Sequence, residues 1–175
     1  VAVDEGLTRS TDYTTSVRQA YAESDDGIHW RRPALGLVEY RGSRDNNLVL
    51  VEQGQLGAVN LKVIHEPDDP DPTRRYKMTI LTWWLRDGGS GSGTLATLSS
   101  SDGLRWNLTA DTVPVGGMLT LEDIDLPKYH VEATGGLYKW DGMYYATGHT
   151  HVDVHATSAI GRTVTTFRSP DFVHW

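Results

Sequence analysis

Ser100-Ser101-Asp102-Gly103-Leu104-Arg105-Trp106 is the stretch that decides the fold, because it occurs three times. Ser24-Asp25-Asp26-Gly27-Ile28-His29-Trp30 stands before it and Ser169-Pro170-Asp171-Phe172-Val173-His174-Trp175 after it, so the three tryptophans are 76 and 69 residues apart. Each copy has the chemistry of a tight turn between strands. The Ser and Asp side chains bond nearby amides, Gly or its replacement takes the awkward dihedral, and Trp anchors the returning strand in the core. A period of this length, made of short strands and turns, predicts a radial array of four-stranded blades.

The segments between the turns fit that reading. Val17 to Ser24 is expected as a third strand and Ile28-His29-Trp30 as the start of a fourth. Asn46 to Glu52, Val59 to Glu66, Arg75 to Trp84 and Thr94 to Ser100 follow as strands rich in Val, Ile, Leu, Thr, Tyr and Trp. In the last unit, His130 to Ala133, Gly136 to Trp140, Met143 to Gly148 and Arg162 to Arg168 are strands, with His149 to His155 either extending the preceding one or starting another. The Asp141-Gly142 pair is a strong hairpin signal. The connectors Glu66 to Pro72 and Asp87 to Gly93 are too rich in Pro or Gly for regular structure, and no segment has a capped helical period. We therefore expect an all-β chain, one incomplete β-propeller domain over residues 1–175, with two to three four-stranded blades at about 1–41, 42–115 and 116–175. The chain starts without Met and stops inside the third turn motif, which leads us to expect a fragment whose remaining blades come from further chain.

Composition narrows the function. The 175 residues include 6 Trp and 8 Tyr against 2 Phe, rings suited to sugar or peptide faces, and the net charge is -7. An acidic chain argues against a general nucleic-acid binder. No apolar run approaches bilayer length and no signal-like start is present, so the expectation is a soluble protein without a membrane segment. No compartment is identified, and a secreted or periplasmic site is compatible with the sequence. Cysteine is absent, which removes disulfides and thiolate metal sites.

With these turns, with Tyr76-Lys77-Met78 after a Pro/Asp loop, and with Glu132 ahead of Gly142-Met143-Tyr144-Tyr145, the chain resembles the five-bladed propeller glycosidases of the fructan hydrolase, arabinanase and β-xylosidase type, glycosyl hydrolase families 32 and 43. The likeness covers nearly the whole chain. It implies a hydrolase of glycosidic bonds in a furanoside- or pentoside-type glycan, with three carboxylates in a central funnel and no cofactor. Glu132 matches the general acid. A glycosidic oxygen leaves poorly unless protonated, so a carboxyl of raised pKa must sit beside it while a second carboxylate acts from the opposite side. The sequence departs from that pattern at Val59-Asn60-Leu61-Lys62-Val63-Ile64-His65-Glu66-Pro67, where Asn60 falls near the position of the second Asp. An amide can bond a sugar but supplies no charge. Asp4 and Asp12 are the weak candidates for the first-blade carboxylate.

Further contacts to carbohydrate are expected from Asn46 and Asn47, which precede the inner strand of the middle blade, and from Asn60, His130, His149 and Trp84. A turn role competes for the two adjacent asparagines, and a core role for one of Trp83 and Trp84. Strand alternation puts His149, His151, Asp153 and His155 on one face. These read first as structural or substrate-contacting groups, and the same geometry could hold Zn²⁺ in a metal-dependent hydrolase. A non-catalytic propeller that binds glycan or protein is the second reading, ahead of the metal-dependent hydrolase, and is favoured by the amide at position 60.

Overall fold

The computed structural model describes residues 2–3, 17–54, 59–85, 91–109, 112–115, 118–121, 131–152 and 161–175. These residues are all-β apart from one short 3-10 turn. In chain order the strands are β1 (Ala2–Val3), β2 (Val17–Arg18), β3 (Leu50–Val51), β4 (Val59–His65), β5 (Tyr76–Leu85), β6 (Gly91–Ser100), β7 (Arg105–Leu108), β8 (Thr112–Val115), β9 (Met118–Leu121), β10 (Val131–Trp140), β11 (Met143–Val152) and β12 (Gly161–Ser169). Among the described residues no helix is long and apolar enough to cross a membrane.

Two antiparallel meanders organise the chain. In the first, β4, β5, β6 and β7 pair in sequence order, and in the second β10, β11 and β12 do the same. The β8-β9 hairpin joins the first meander through a single parallel pairing of Trp84 with Leu119. The described sheets do not close on themselves.

Burial of β5 and β6 on both faces explains how the meanders pack. Met78, Ile80, Ala96 and Leu98 point to one side and form a core with Val49, Val51 and Trp106. Leu95, on the other side, packs with Ala146 against Leu137, Phe167 and Trp175. The central sheet is thus a filling between the 17–51 segment and the β10-β11-β12 sheet, and near-continuous burial along its strands is the expected mark of a two-sided sheet.

All three turns form, with the same bonds. Ser24 Oγ accepts from the Gly27 amide at 2.9 Å, Ser100 Oγ from Gly103 at 2.8 Å and Ser169 Oγ from Phe172 at 2.9 Å. The Oδ1 atoms of Asp26 and Asp102 each accept two amides at 2.8 Å, and Asp171 Oδ1 accepts two at 2.9 Å. Each Trp indole donates back to the carbonyl of the fourth turn residue. That residue has φ of +75° in Gly27, +76° in Gly103 and +68° in Phe172, so the third copy holds a phenylalanine in glycine's region.

Several expectations need correcting. Trp106 is the buried anchor expected, but Trp30 is 63% exposed: Val49 and Val51 pack on Trp106, and among the described residues no comparable strand lies along Trp30. The segment from Asn46 to Glu52 is not the inner strand of the middle unit. It contributes only the two-residue β3, which pairs in parallel with β7 at the far edge of that meander. β4 is the first strand of that meander. His149 to Val152 extends β11, which resolves the ambiguity there, whereas 153–160 lie outside the described residues. The Pro/Asp connector carries no regular structure from Glu66 to Asp71, and at its last residue begins the 3-10 turn Pro72–Arg74, capped by the Asp71 side chain on the Thr73 amide. Gly91 to Gly93, read as linker, belongs to β6.

Candidate functional site

The meanders have two distinct ends. The turn end carries the Ser-Asp-Trp motifs, the close of β4 at His65 and the close of β10 at Trp140. The opposite end carries the starts of β4 and β10, and both starts are irregular.

In β4 the pairing with β5 shifts between Val59 and Lys62, and Asn60 there adopts φ of +57°. In β10 the pairing with β11 shifts between Glu132 and Gly136. β-bulges bend a strand and re-aim the residues beside them. Gly135 is required by this one, because a Cβ at that position would stand 2.6 Å from the backbone carbonyl oxygen of Thr147. Below the bulge the register places Glu132 opposite His149, which in turn lies opposite Val164 on β12. β10 runs beside β4, and their closing ends are joined by an ion pair described below, so their bulged starts lie at the same end of the molecule. Trp84, opposite Ser92 and Leu119, belongs to that end also.

Of the residues expected to contact substrate, then, Asn60, Glu132, His149 and Trp84 share one end of the stacked meanders. Asn46 and Asn47 do not join them. They lie beside the first turn, where Asn47 Nδ2 donates to the Tyr21 carbonyl at 2.6 Å. Asn46 Nδ2 donates to the carbonyls of Val38 and Ser43 at 2.9 and 3.2 Å, while its Oδ1 accepts from the Leu48 amide at 3.1 Å. Both amides are spent on loop backbone, which is the competing turn role. His130, Asp4, Asp12, Asp153 and His155 lie outside the described residues. His151 is placed on β11 opposite Arg162.

A second cluster, at the turn end, was not foreseen. Lys77 is fully buried, and its ammonium donates to Asp69 Oδ2 at 2.5 Å, Glu66 Oε2 at 2.8 Å and the Arg74 carbonyl at 2.8 Å. Glu66 then reaches across to the other meander. Its Oε1 accepts from Lys139 Nζ at 2.6 Å and its Oε2 from the Tyr144 hydroxyl at 2.8 Å. Burial alone would raise the Glu66 pKa, but the hydrogen bonds from Lys139, Lys77 and Tyr144 outweigh it and hold the carboxyl below its ordinary range. Asp69 is likewise lowered, burial being outweighed by the Lys77 bond. For Lys77, burial pulls the pKa down and the Asp69 and Glu66 bonds more than restore it, leaving it raised. Lys139 is raised chiefly by its bond to Glu66.

This electrostatic state decides what the cluster can do. A general acid must hold its proton near the working pH, and Glu66 and Asp69 are biased to release theirs. All three Lys77 protons are directed at acceptors, so the ammonium has none left for a ligand. The cluster is a joint between meanders. Its sequence signal was the pair of strings Tyr76-Lys77-Met78 and His65-Glu66-Pro67, whose side chains could be linked only once the two meanders were seen to stack.

Compared with known protein families, curated proteins and solved structures, the chain matches none of them.

Proposed function

We propose that this chain is a carbohydrate-active β-propeller unit of the glycoside hydrolase type, with Glu132 as general acid toward a furanoside- or pentoside-type glycan. The observation that carries the reading is the pair of bulges at the same end of two neighbouring first strands, one beside Asn60 and the other beside Glu132. Three copies of one turn and the face-to-face stacking of successive meanders support the propeller architecture. In this scheme Glu132 gives its proton to the glycosidic oxygen, which keeps the electron pair of the bond to the anomeric carbon as that bond breaks, while a water oxygen bonds to the carbon in its place and releases its proton to solvent. His149, across the ladder from it, and Asn60 contact the sugar.

The test is hydrolysis of 4-nitrophenyl furanosides and pentosides, together with unactivated oligosaccharides, by the wild type and by Glu132→Gln. General acid catalysis contributes about 10²–10⁴-fold, so the variant should lose at least about 100-fold in kcat/KM on the oligosaccharide. The loss should be smaller on nitrophenyl substrates, whose leaving group needs little protonation. Equal turnover by the two proteins on the oligosaccharide would refute the assignment.

A second reading, a non-catalytic propeller that binds glycan or protein, is favoured by the amide at position 60 and by the outer face of the β10-β11 hairpin. There Trp140 is 68% exposed, and the Tyr138 and Tyr145 rings stack with centroids 5.2 Å apart. Glycan affinity without turnover in the wild type would select it.

A further inference from the structure

We infer that Glu66, Lys139 and Tyr144 form a positioning clasp that fixes β10 against β4 and so sets the spacing between Glu132 and Asn60 at the other end of those strands. The inference rests on the proposed site for its catalytic consequence and on geometry alone for its structural one.

Three observations carry it. First, the clasp is built from the closing ends of the two strands that bear the bulges: Glu66 directly follows β4, and Lys139 is the penultimate residue of β10. Second, among the described residues it is a polar bridge between meanders whose packing is otherwise largely apolar. The bonds from Lys139 at 2.6 Å and Tyr144 at 2.8 Å use both oxygens of one carboxylate, whereas Leu95 against Ala146 and Phe167 supplies area without a fixed register. Lys139 Nζ also lies 3.2 Å from the Tyr144 hydroxyl and 4.7 Å from the centre of its ring, so the triangle is closed on itself. Third, Glu66 does not depend on this bridge for its own place, because Lys77 holds it from within the first meander. The carboxylate is a fixed post to which the second meander is tied. Arg74, which donates to the Asp171 carbonyl at 2.6 Å, makes a further tie at the same end.

At about 3.3 Å per residue the six steps from Asn60 to Glu66, and the seven from Glu132 to Lys139 shortened by the bulge, each span about 20 Å. The clasp is therefore too far from the bulged end to touch a substrate there. Two neighbouring strands released at one end are free to splay or slide along their length, and a displacement of about 1 Å at reacting groups is enough to cost on the order of 100-fold in rate. Glu66, Lys139 and Tyr144 are positioning residues in this sense.

The experiment compares the wild type with Lys139→Met, Tyr144→Phe and Lys139→Arg. Lys139→Met and Tyr144→Phe each cut one strand of the clasp and leave the Lys77 bond to Glu66 in place. Lys139→Arg keeps the charge and should restore the pairing. Amide hydrogen exchange resolved to residues 131–137 is the first readout, with residues 91–100 as the internal control. We expect Lys139→Met to speed exchange at 131–137 by about two- to fivefold with the control unmoved, as for the loss of a partly exposed ion pair that restrains one local unit. Turnover of a 4-nitrophenyl pentoside is the second, with kcat expected to fall about tenfold at unchanged KM and to recover in Lys139→Arg. Unchanged exchange at 131–137 in both Lys139→Met and Tyr144→Phe would overturn the clasp whatever the activity. Faster exchange with kcat unmoved would overturn its positioning role. Faster exchange in a protein whose wild type hydrolyses none of the glycosides would leave the clasp standing and remove the glycosidase reading instead. Should Lys139→Met fail to fold, Tyr144→Phe, which keeps the ring packed on Phe172, reports the same quantities.

Discussion

Phe172 sets two energies of opposite sign against each other. By comparison with the other turns it is the wrong residue: Gly27 and Gly103 hold the equivalent position at φ near +75°, and Phe172 is forced to +68°. A side chain in that region costs about 1–2 kcal/mol. Yet Phe172 is fully buried, with its ring edge-on to Tyr144 at 5.2 Å and to Trp175 at 5.5 Å. Removing a buried phenylalanine ring costs about 3–5 kcal/mol, and the two edge contacts account for part of that. The difference predicts that Phe172→Gly, although it restores the motif, destabilises the protein by about 2–3 kcal/mol. Phe172→Ala loses the ring and keeps the strain, so it should be worse than the glycine variant by about 1 kcal/mol. Urea unfolding followed by tryptophan fluorescence gives the midpoints. A glycine variant as stable as the wild type, or an alanine variant more stable than the glycine one, would refute the reasoning.

Other perturbations act on the two ends separately. Gly135→Ala places a methyl against a backbone oxygen that cannot step aside and should cost about 1–3 kcal/mol, whereas Gly136→Ala, with nothing within 4 Å of its Cβ, should be close to neutral; thermal melts of the pair compare them directly, and equal costs would remove the bulge argument. The acid branch of stability follows from the lowered pKa values of Glu66, Asp69 and Asp102. The unfolded chain binds protons at these sites below its ordinary carboxylate pKa of about 4, so their stabilisation is fully present above that pH and is lost as pH falls through the lower folded values. The raised pKa values of Lys77 and Lys139 work in the other direction, contributing below about pH 10.4 and being lost as pH climbs through the folded values. A melting temperature that rises as pH drops from 5 toward 3, pH values on the order of the carboxylate range, would contradict this.

What could be read in the amino-acid order was whatever closes over a few residues. The Ser-Asp-Trp turns are legible because the bonds that build them close within three positions, as from the Gly103 amide to Ser100 Oγ and from the Trp106 indole to the Gly103 carbonyl. Their environment is not local. Trp30 and Trp106 sit in the same bonds, and only the second has Val49 and Val51 laid against it. The same distinction separates Glu132, whose place near the start of a strand was readable, from the bulge beside it, which exists only as an offset between β10 and β11.

Lys77 shows where alternation fails and why the failure is informative. Placed between Tyr76 and Met78 on a regular strand, a lysine reads as the solvent side of a one-sided sheet. It is buried because β5 has no solvent side: the face it points to is covered by the second meander, close to Tyr144, whose ring centre is 5.5 Å from its ammonium. Burying an ammonium without partners costs several kcal/mol, so a covering meander demands acceptors within reach of that nitrogen. Glu66, Asp69 and the Arg74 carbonyl are those acceptors, delivered by the Pro/Asp loop that connects β4 to β5. The composition of the loop is therefore a consequence of the stacking. An acidic, proline-held connector placed just before a strand lysine is the local trace of a second sheet lying over the first. The carboxylate that satisfies Lys77 from below is also the one to which Lys139 and Tyr144 of that second sheet are tied.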